Sequence, residues 1–285
     1  MKHSLYLLAC LLISQSTHTL ASCWEKPLIS KAPTAFILAM GANVGELKKA
    51  NTDAQAFADA IQKRFNIPSP NKCVLKNVTR GDFKSALKRL QKLVRKPDQV
   101  FIYFSGHGTQ VPDNNNDEGC YDEAFVIFSD IGSKPYRIRD DFLVAQVNKI
   151  GSNRITTIID TCFSGGMLRG SHNCLDMKSK LWFADDDESD ILPKNDCPST
   201  DIKLLKGTVY TASEVLKGTV YTASKEYQLA WEFDKGGVFT TFFIENMRKN
   251  SKTKLKKIFD MTAKQVSRKT GQRDCEQLQE PQRQP

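Results

Sequence analysis

Beyond its first residues, the chain has no run approaching the roughly 18 apolar residues that a membrane-spanning helix needs, which excludes a helical membrane protein. Low-complexity stretches are few. The basic residues lack aromatic interleaving and match no nucleic-acid-binding motif, so a net charge of +9, from 41 Lys and Arg against 32 Asp and Glu, reads as a solvated basic surface with no nucleic acid as partner. What is present is 285 residues, 40% hydrophobic and 26% charged, enough for one globular domain with a sizeable core.

The N-terminus carries Met1-Lys-His, the apolar Leu5 to Ile13 and a polar stretch ending Thr19-Leu-Ala21, the pattern of a secretory signal peptide spanning residues 1–21. An exported protein, periplasmic or secreted, with no stable membrane span is expected. Leu20-Ala-Ser-Cys23 also resembles a lipobox, in which Cys23 would carry a lipid; the polar spacer before it argues against that reading. Without Cys10, seven cysteines remain, at 23, 73, 120, 162, 174, 197 and 275. If Cys162 is a free nucleophile, an oxidising compartment could pair the other six. Cys174 and Cys197 flank one loop and are the expected local bridge; the other pairings stay open, as does a set of free thiols.

The organisation is that of an α/β domain over 22–270. Thr34 to Gly41, Val100 to Phe104 and Ile155 to Ile159 are continuous apolar runs suited to strands buried on both faces of a parallel sheet. Lys72 to Lys76 makes a further strand. Between them, Thr52 and Thr79 can cap amphipathic helices, and Arg139 to Ile150 fits another. Strand alternating with helix is the grammar of a doubly wound parallel sheet. Val111 to Cys120 reads as a polar loop and Glu123 to Ser129 as a short strand. Residues 169–206 lose periodicity and read as an insertion loop. Leu205-Lys-Gly-Thr-Val-Tyr-Thr-Ala-Ser213 then recurs as Leu216 to Ser224; two copies are too few for a solenoid, and the second is expected to be the strand. Helices follow from Gly237 and to about Lys269, and 271–285 reads as an irregular tail.

Two apolar runs stop at glycine-rich turns holding one reactive side chain each: Ser105-Gly-His107-Gly-Thr-Gln110 and Asp160-Thr-Cys162-Phe-Ser-Gly165. In open α/β sheets the ligand crevice lies at the carboxyl ends of the strands, so the His and the Cys could meet there. A Cys attacks carbonyls as its thiolate and needs a base in reach and donors aimed at the oxyanion. His107 has the near-neutral pKa of a general base, and the N–H groups of Gly108 and Cys162 could bind an oxyanion. Either residue alone would more often be structural; the two together point to catalysis.

These blocks resemble the paired catalytic motifs of caspase and metacaspase cysteine peptidases, in which the His stands about 50 residues upstream of the Cys. Phe163 after the nucleophile resembles the bacterial caspase-like type. The resemblance, running from about Phe36 through Glu245, implies a three-layer α/β sandwich around a sheet of about six mainly parallel strands, with His107 and Cys162 as the dyad. Asp160 and Asp53 match the acidic positions that metacaspases place in the first substrate pocket, which implies cleavage of protein or peptide substrates after Arg or Lys through charge-assisted hydrogen bonds. Other outcomes are a legumain-like processing peptidase or a catalytically silent binding module of the same fold, and a homodimer is possible. The chemistry requires no cofactor. Many metacaspases use calcium, and Asp122, Asp140 and Asp141 match three ligand positions, but Arg169 stands where a fourth acid is expected. Asp113, Asn115 and Asp117 imitate an EF-hand start, yet Glu118 and Ala124 break that pattern. The loop 169–206 lies where caspases separate their two chains, so autolytic nicking after a basic residue there is expected.

Overall fold

The computed structural model describes residues 23–112, 121–131, 134–162, 177–182, 216–225, 228–271 and 279–284. The three runs read as buried strands are β1 (Ala35–Gly41), β3 (Gln99–Ser105) and β7 (Arg154–Asp160). They lie side by side at the centre of a six-stranded sheet ordered β2 (Lys72–Lys76), β1, β3, β7, β9 (Thr219–Thr222) and β12 (Gln282–Gln284). All pairings are parallel except β12 with β9. The sheet is flanked by five helices, as the α/β sandwich expectation required.

Because side chains alternate faces along a strand, each central strand feeds two cores. Phe36, Leu38 and Met40 with Val100, Ile102 and Phe104 pack toward α2 (Arg80–Leu93) and α3 (Asp140–Asn148) through Phe83, Leu87 and Leu143. Ile37, Ala39, Phe101 and Tyr103 face the other way, against Phe57 of α1 (Ala50–Phe65), Phe243 of α4 (Val238–Lys249) and Ile258 of α5 (Leu255–Gly271). Both faces are dry, which is why these strands show no polar alternation in sequence.

Several boundaries differ from the sequence reading for identifiable reasons. Helix α1 starts at Ala50, ahead of Thr52: the Asn43 side chain accepts from the Asn51 amide of its first turn at 3.0 Å, and the Glu232 carboxylate accepts from the N–H groups of Lys48 and Lys49 just before the helix. The glycine-rich turn at His107 opens a strand, β4 (His107–Pro112), which pairs antiparallel with β5 (Tyr121–Phe128), itself paired with β6 (Pro135–Arg139). Arg139 therefore ends a strand and α3 begins at Asp140. The tail is not wholly irregular, since β12 closes the sheet edge through main-chain bonds. Thr79 does cap α2, accepting from the Asp82 amide at 3.2 Å, and the second repeat copy supplies β9.

Cys23 is bonded to Cys73 of β2, which leaves its sulfur no valence for a lipid. Cys162 is the free cysteine among the described residues; the expected Cys174–Cys197 bridge, the Asp113 to Glu118 turn and Arg169 lie outside them.

Candidate active site

The strand register sets the site. Gly41 of β1, Ser105 of β3 and Asp160 of β7 pair in one row at the carboxyl edge of the sheet. His107 and Cys162 each follow two residues after a member of that row, so the two sequence blocks leave the sheet next to one another. Their backbones touch: a Cβ at position 108 would stand 1.5 Å from the Cys162 carbonyl oxygen, so only glycine fits there.

Both reactive side chains are withdrawn from water. Cys162 is fully buried; its Sγ accepts from the Ala230 N–H at 2.8 Å and its S–H donates to the Ala230 carbonyl at 3.3 Å. Burial pushes its thiol up to about 12, outweighing the Ala230 amide and the Lys180 ammonium, which favour the thiolate. His107 is 4% exposed and neither ring nitrogen has a hydrogen-bond partner among the described residues. Burial, with the Lys180 charge adding to it, lowers its pKa to about 4; the carbonyls of Lys180 and Val44 act the other way from outside hydrogen-bond geometry. The two expected catalytic residues are thus adjacent in the backbone and not hydrogen bonded to each other.

Beside Cys162 lies an acidic pocket that joins the two carboxylates singled out in the sequence. Asp160 is buried at the end of β7, and Asp53, in the first turn of α1, is brought alongside it. Asp53 accepts from the Gly237 amide at 2.9 Å and the Ser105 hydroxyl at 3.3 Å. Thr240 donates to Asp160 Oδ2 at 2.6 Å, so the Tyr103 hydroxyl, 2.6 Å from Thr240 Oγ1, must donate to it in turn.

The pocket is filled from within the chain, by a residue that sequence reasoning passed over. Lys180 is fully buried and spends its three ammonium protons on Asp160 Oδ2 at 3.0 Å, the Asp160 carbonyl at 3.1 Å and Ser105 Oγ at 2.9 Å. Asp53 Oδ2 is 3.8 Å from the same nitrogen. Burial acts to lower the Lys180 pKa, but Asp160, Asp53 and Glu232 together hold it above its ordinary value. Three acids surround one cation, so two negative charges would be in excess if all were ionised; burial, with Asp160 and Glu232 adding, pushes Asp53 up to about 7 despite its 3.8 Å approach to Lys180.

The main chain around Lys180 is as constrained as its ammonium. Its N–H donates to the Ala230 carbonyl and its carbonyl accepts from the Gly108 N–H, both at 2.9 Å. Lys178 and Ser179 form β8, antiparallel to β10 (Trp231–Phe233), and β10 pairs with β11 (Gly236–Gly237). Past Lys180, the Trp182 N–H donates to the Gly108 carbonyl at 2.9 Å. Residues 177–182, inside the presumed insertion loop, therefore run extended across both reactive blocks. Nothing in their local pattern announces this; the one signal is that the loop carries lysines beside its acidic run Asp185 to Glu188.

The residues matching calcium positions are arranged differently from the pocket acids. Asp122 on β5 is ion-paired with Arg139, whose other nitrogen donates to the Pro112 carbonyl at 2.6 Å, and Asp140 Oδ1 accepts from the Asp141 amide at 3.0 Å. Among the described residues no group of three His, Cys, Asp or Glu side chains is placed to hold a metal. The Arg139 cation rests on Asp122, and no chemical step is routed through a calcium ion. No helix of the described residues is long and apolar enough to cross a membrane.

Comparison with known proteins agrees with this geometry. A family model of the caspase domain matches residues 34–284. The chain is similar to Metacaspase-1A of Aspergillus oryzae, at 29% identity over 135 residues, 44% of this chain and 32% of that protein. It is also similar to Metacaspase-7 of Arabidopsis thaliana, at 36% identity over 94 residues, 32% of this chain and 22% of that protein. The match thus spans a third or less of those relatives. Among solved structures, protein GSU0716 from Geobacter sulfurreducens superposes with a TM-score of 0.59 at 20% identity, covering 88% of this chain and 93% of that one, a likeness of fold. The domain match over most of the chain, on a sheet that sets a histidine and a cysteine at neighbouring strand ends, makes this protein a member of the caspase-domain peptidase family.

Proposed function

We propose that the protein is an exported cysteine endopeptidase that cuts after Lys or Arg, with Cys162 as nucleophile, His107 as the base that takes its proton, and Asp160 and Asp53 as the floor of the first substrate pocket. The observation that carries this reading is Lys180: its ammonium rests on Asp160 while its carbonyl oxygen receives the Gly108 N–H, the contact that an oxyanion donor would make with the residue before a cleaved bond. Among the described residues Asp160 Oδ1 has no hydrogen-bond partner, which leaves an acceptor for the second arm of a guanidinium. The Cys23–Cys73 disulfide supports export, because such bonds persist in oxidising compartments.

The burial of Cys162 favours a second reading, a silent module that binds without cutting. A fluorogenic panel with Lys, Arg, Asp or Asn at the cleaved position, with and without calcium, separates the two when run on wild type and Cys162→Ala. Cleavage confined to Lys and Arg and lost in Cys162→Ala is the expected result; no cleavage of any member, with Cys162 unreactive toward alkylation even when Lys180 is replaced, sinks the reading.

A further inference from the structure

Resting on the reading above, we propose that Gly45 and the His107 ring form a subsite for an aromatic side chain two residues beyond the cleaved bond. The substrate class is then basic, apolar, aromatic, and Lys180-Leu181-Trp182 is its occupant in cis.

Three contacts place Trp182 there. Its amide is held by the Gly108 carbonyl at 2.9 Å, the same residue whose amide holds the Lys180 carbonyl, so both sides of the Lys180–Leu181 bond are fixed by one residue of the site. Its ring lies against His107, with centroids 5.3 Å apart and planes inclined at 56°. Its far edge fills the space above Gly45, where a Cβ would stand 2.5 Å from Trp182 Cζ3 and where φ is +57°, so a side chain there would both clash and strain the backbone. Leu181 between them is buried. On the other side of the bond, Lys178 and Ser179 are paired with Glu232 and Trp231 as an added strand. An extended peptide held by alternating main-chain bonds, with side chains in pockets on both sides of one amide, is the register of a bound substrate.

The step this register prepares is balanced. Once Sγ turns away from Ala230, it attacks the Lys180 carbonyl carbon; the S–C bond forms, the C–N bond to Leu181 breaks, and the thiol proton passes through His107 to the Leu181 nitrogen. Water then cleaves the thioester, giving a Lys180 carboxylate and restoring the thiol.

The test follows two substrates. In the first arm, purified full-length protein is followed by intact mass and N-terminal sequencing. Cleavage in wild type is expected to yield a fragment beginning at Leu181, absent from Cys162→Ala and Lys180→Gln, slowed about tenfold in Trp182→Ala and restored in Trp182→Phe. In the second arm, the Lys180→Gln chain, its pocket no longer filled by a lysine, is given internally quenched peptides containing Lys-Leu-Trp, Lys-Leu-Phe or Lys-Leu-Ala. The aromatic peptides are expected to be cut with kcat/KM about tenfold above the alanine one. Equal rates for all three peptides overturn the subsite while leaving the peptidase reading intact, as does a self-cut elsewhere that Lys180→Gln does not change. Cleavage of no peptide and no self-cut overturns both.

Discussion

Lys180 and Asp160 form a fully buried ion pair at 3.0 Å, twenty residues apart in sequence and brought together by the second pass of the chain over the sheet edge. Removing one member of such a pair strands the other charge, at a cost of about 3–5 kcal/mol, whereas replacing both with neutral groups is close to neutral. Lys180→Met, which leaves Asp160 buried without its cation, is therefore expected to lower stability by about that amount, and Lys180→Met combined with Asp160→Asn to recover most of it. Urea unfolding of the two singles and the double gives the coupling directly. If the singles add without recovery, the pair does not hold this segment in the pocket.

The same pocket gives two opposed pH dependences. His107 has its pKa depressed from 6.5 to about 4 in the fold, so the stability it contributes is present above pH 6.5 and is lost as pH falls toward 4, about 3 kcal/mol in all. Asp53 has its pKa raised from 3.8 to about 7, so its contribution is greatest below pH 3.8 and is lost as pH rises through 7, about 4 kcal/mol. The two nearly cancel in the wild type. In unfolding curves taken from pH 4 to 7, the stability of wild type relative to His107→Gln should rise with pH, and relative to Asp53→Asn should fall. Parallel curves for all three proteins would mean that neither group carries its shift.

How far the sequence revealed this site follows from how local each feature is. Strands β1, β3 and β7 were legible because both their faces are buried, and the Thr79 cap because it needs only Asp82, three residues on. His107, Cys162, Asp160 and Asp53 were found by residue type and motif. The start of α1 is displaced from Thr52 because its N-cap, Lys49, carries no capping side chain, and the residues before the helix are held by Glu232, 184 residues from Lys48. The segment 177–182 was invisible because a two-residue strand has no periodicity, and a charge buried 75 residues from Ser105 leaves no mark on its neighbours. Likewise β12, read as irregular, is an edge strand of Gln and Arg that contributes main-chain bonds and no apolar pattern.

Thr240 reaches Asp160 Oδ2 and is itself backed by Tyr103, so it is a positioning residue for the pocket floor. Thr240→Val keeps the shape and deletes that donor. Its expected signature is a rise in KM for Lys substrates of about fivefold to tenfold, the worth of one hydrogen bond to a charged group, with kcat little changed. Thr240→Ser should restore the wild-type KM. A fall in kcat alone would place Thr240 in the chemistry instead.

The thiol of Cys162 is both inaccessible and held up to about 12, so at pH 8 only about one molecule in ten thousand would carry a thiolate. Alkylation of Cys162 by iodoacetamide, read by peptide mass mapping, should accordingly be slow in wild type. Removing the overlying segment's anchor in Lys180→Gln should accelerate it at least tenfold, since the exposure gained, which relieves the burial that holds the thiol up, outweighs the loss of the Lys180 charge that favours the thiolate. Equal alkylation of the two proteins would show that residues 177–182 do not control access to the nucleophile.

The Cys23–Cys73 bridge closes 50 residues and ties the segment before β1 to β2. That segment is also held by the Trp24 indole N–H on the Asn71 carbonyl at 3.0 Å and by Arg89 on the Trp24 carbonyl at 2.7 Å. On the chain-entropy account a loop of this length contributes roughly 4 kcal/mol by restricting the unfolded chain. Cys73→Ser should lower the Tm by about 8–16 °C, given the scaling for a domain of this size. Dithiothreitol should reproduce that loss in wild type and add nothing to the variant, whereas the activity per folded molecule should persist, because the bridge lies at β2, on the sheet edge away from Cys162. If reduction abolished peptide cleavage without changing the Tm, the bridge would belong to the active site's own redox state rather than to the stability of the fold.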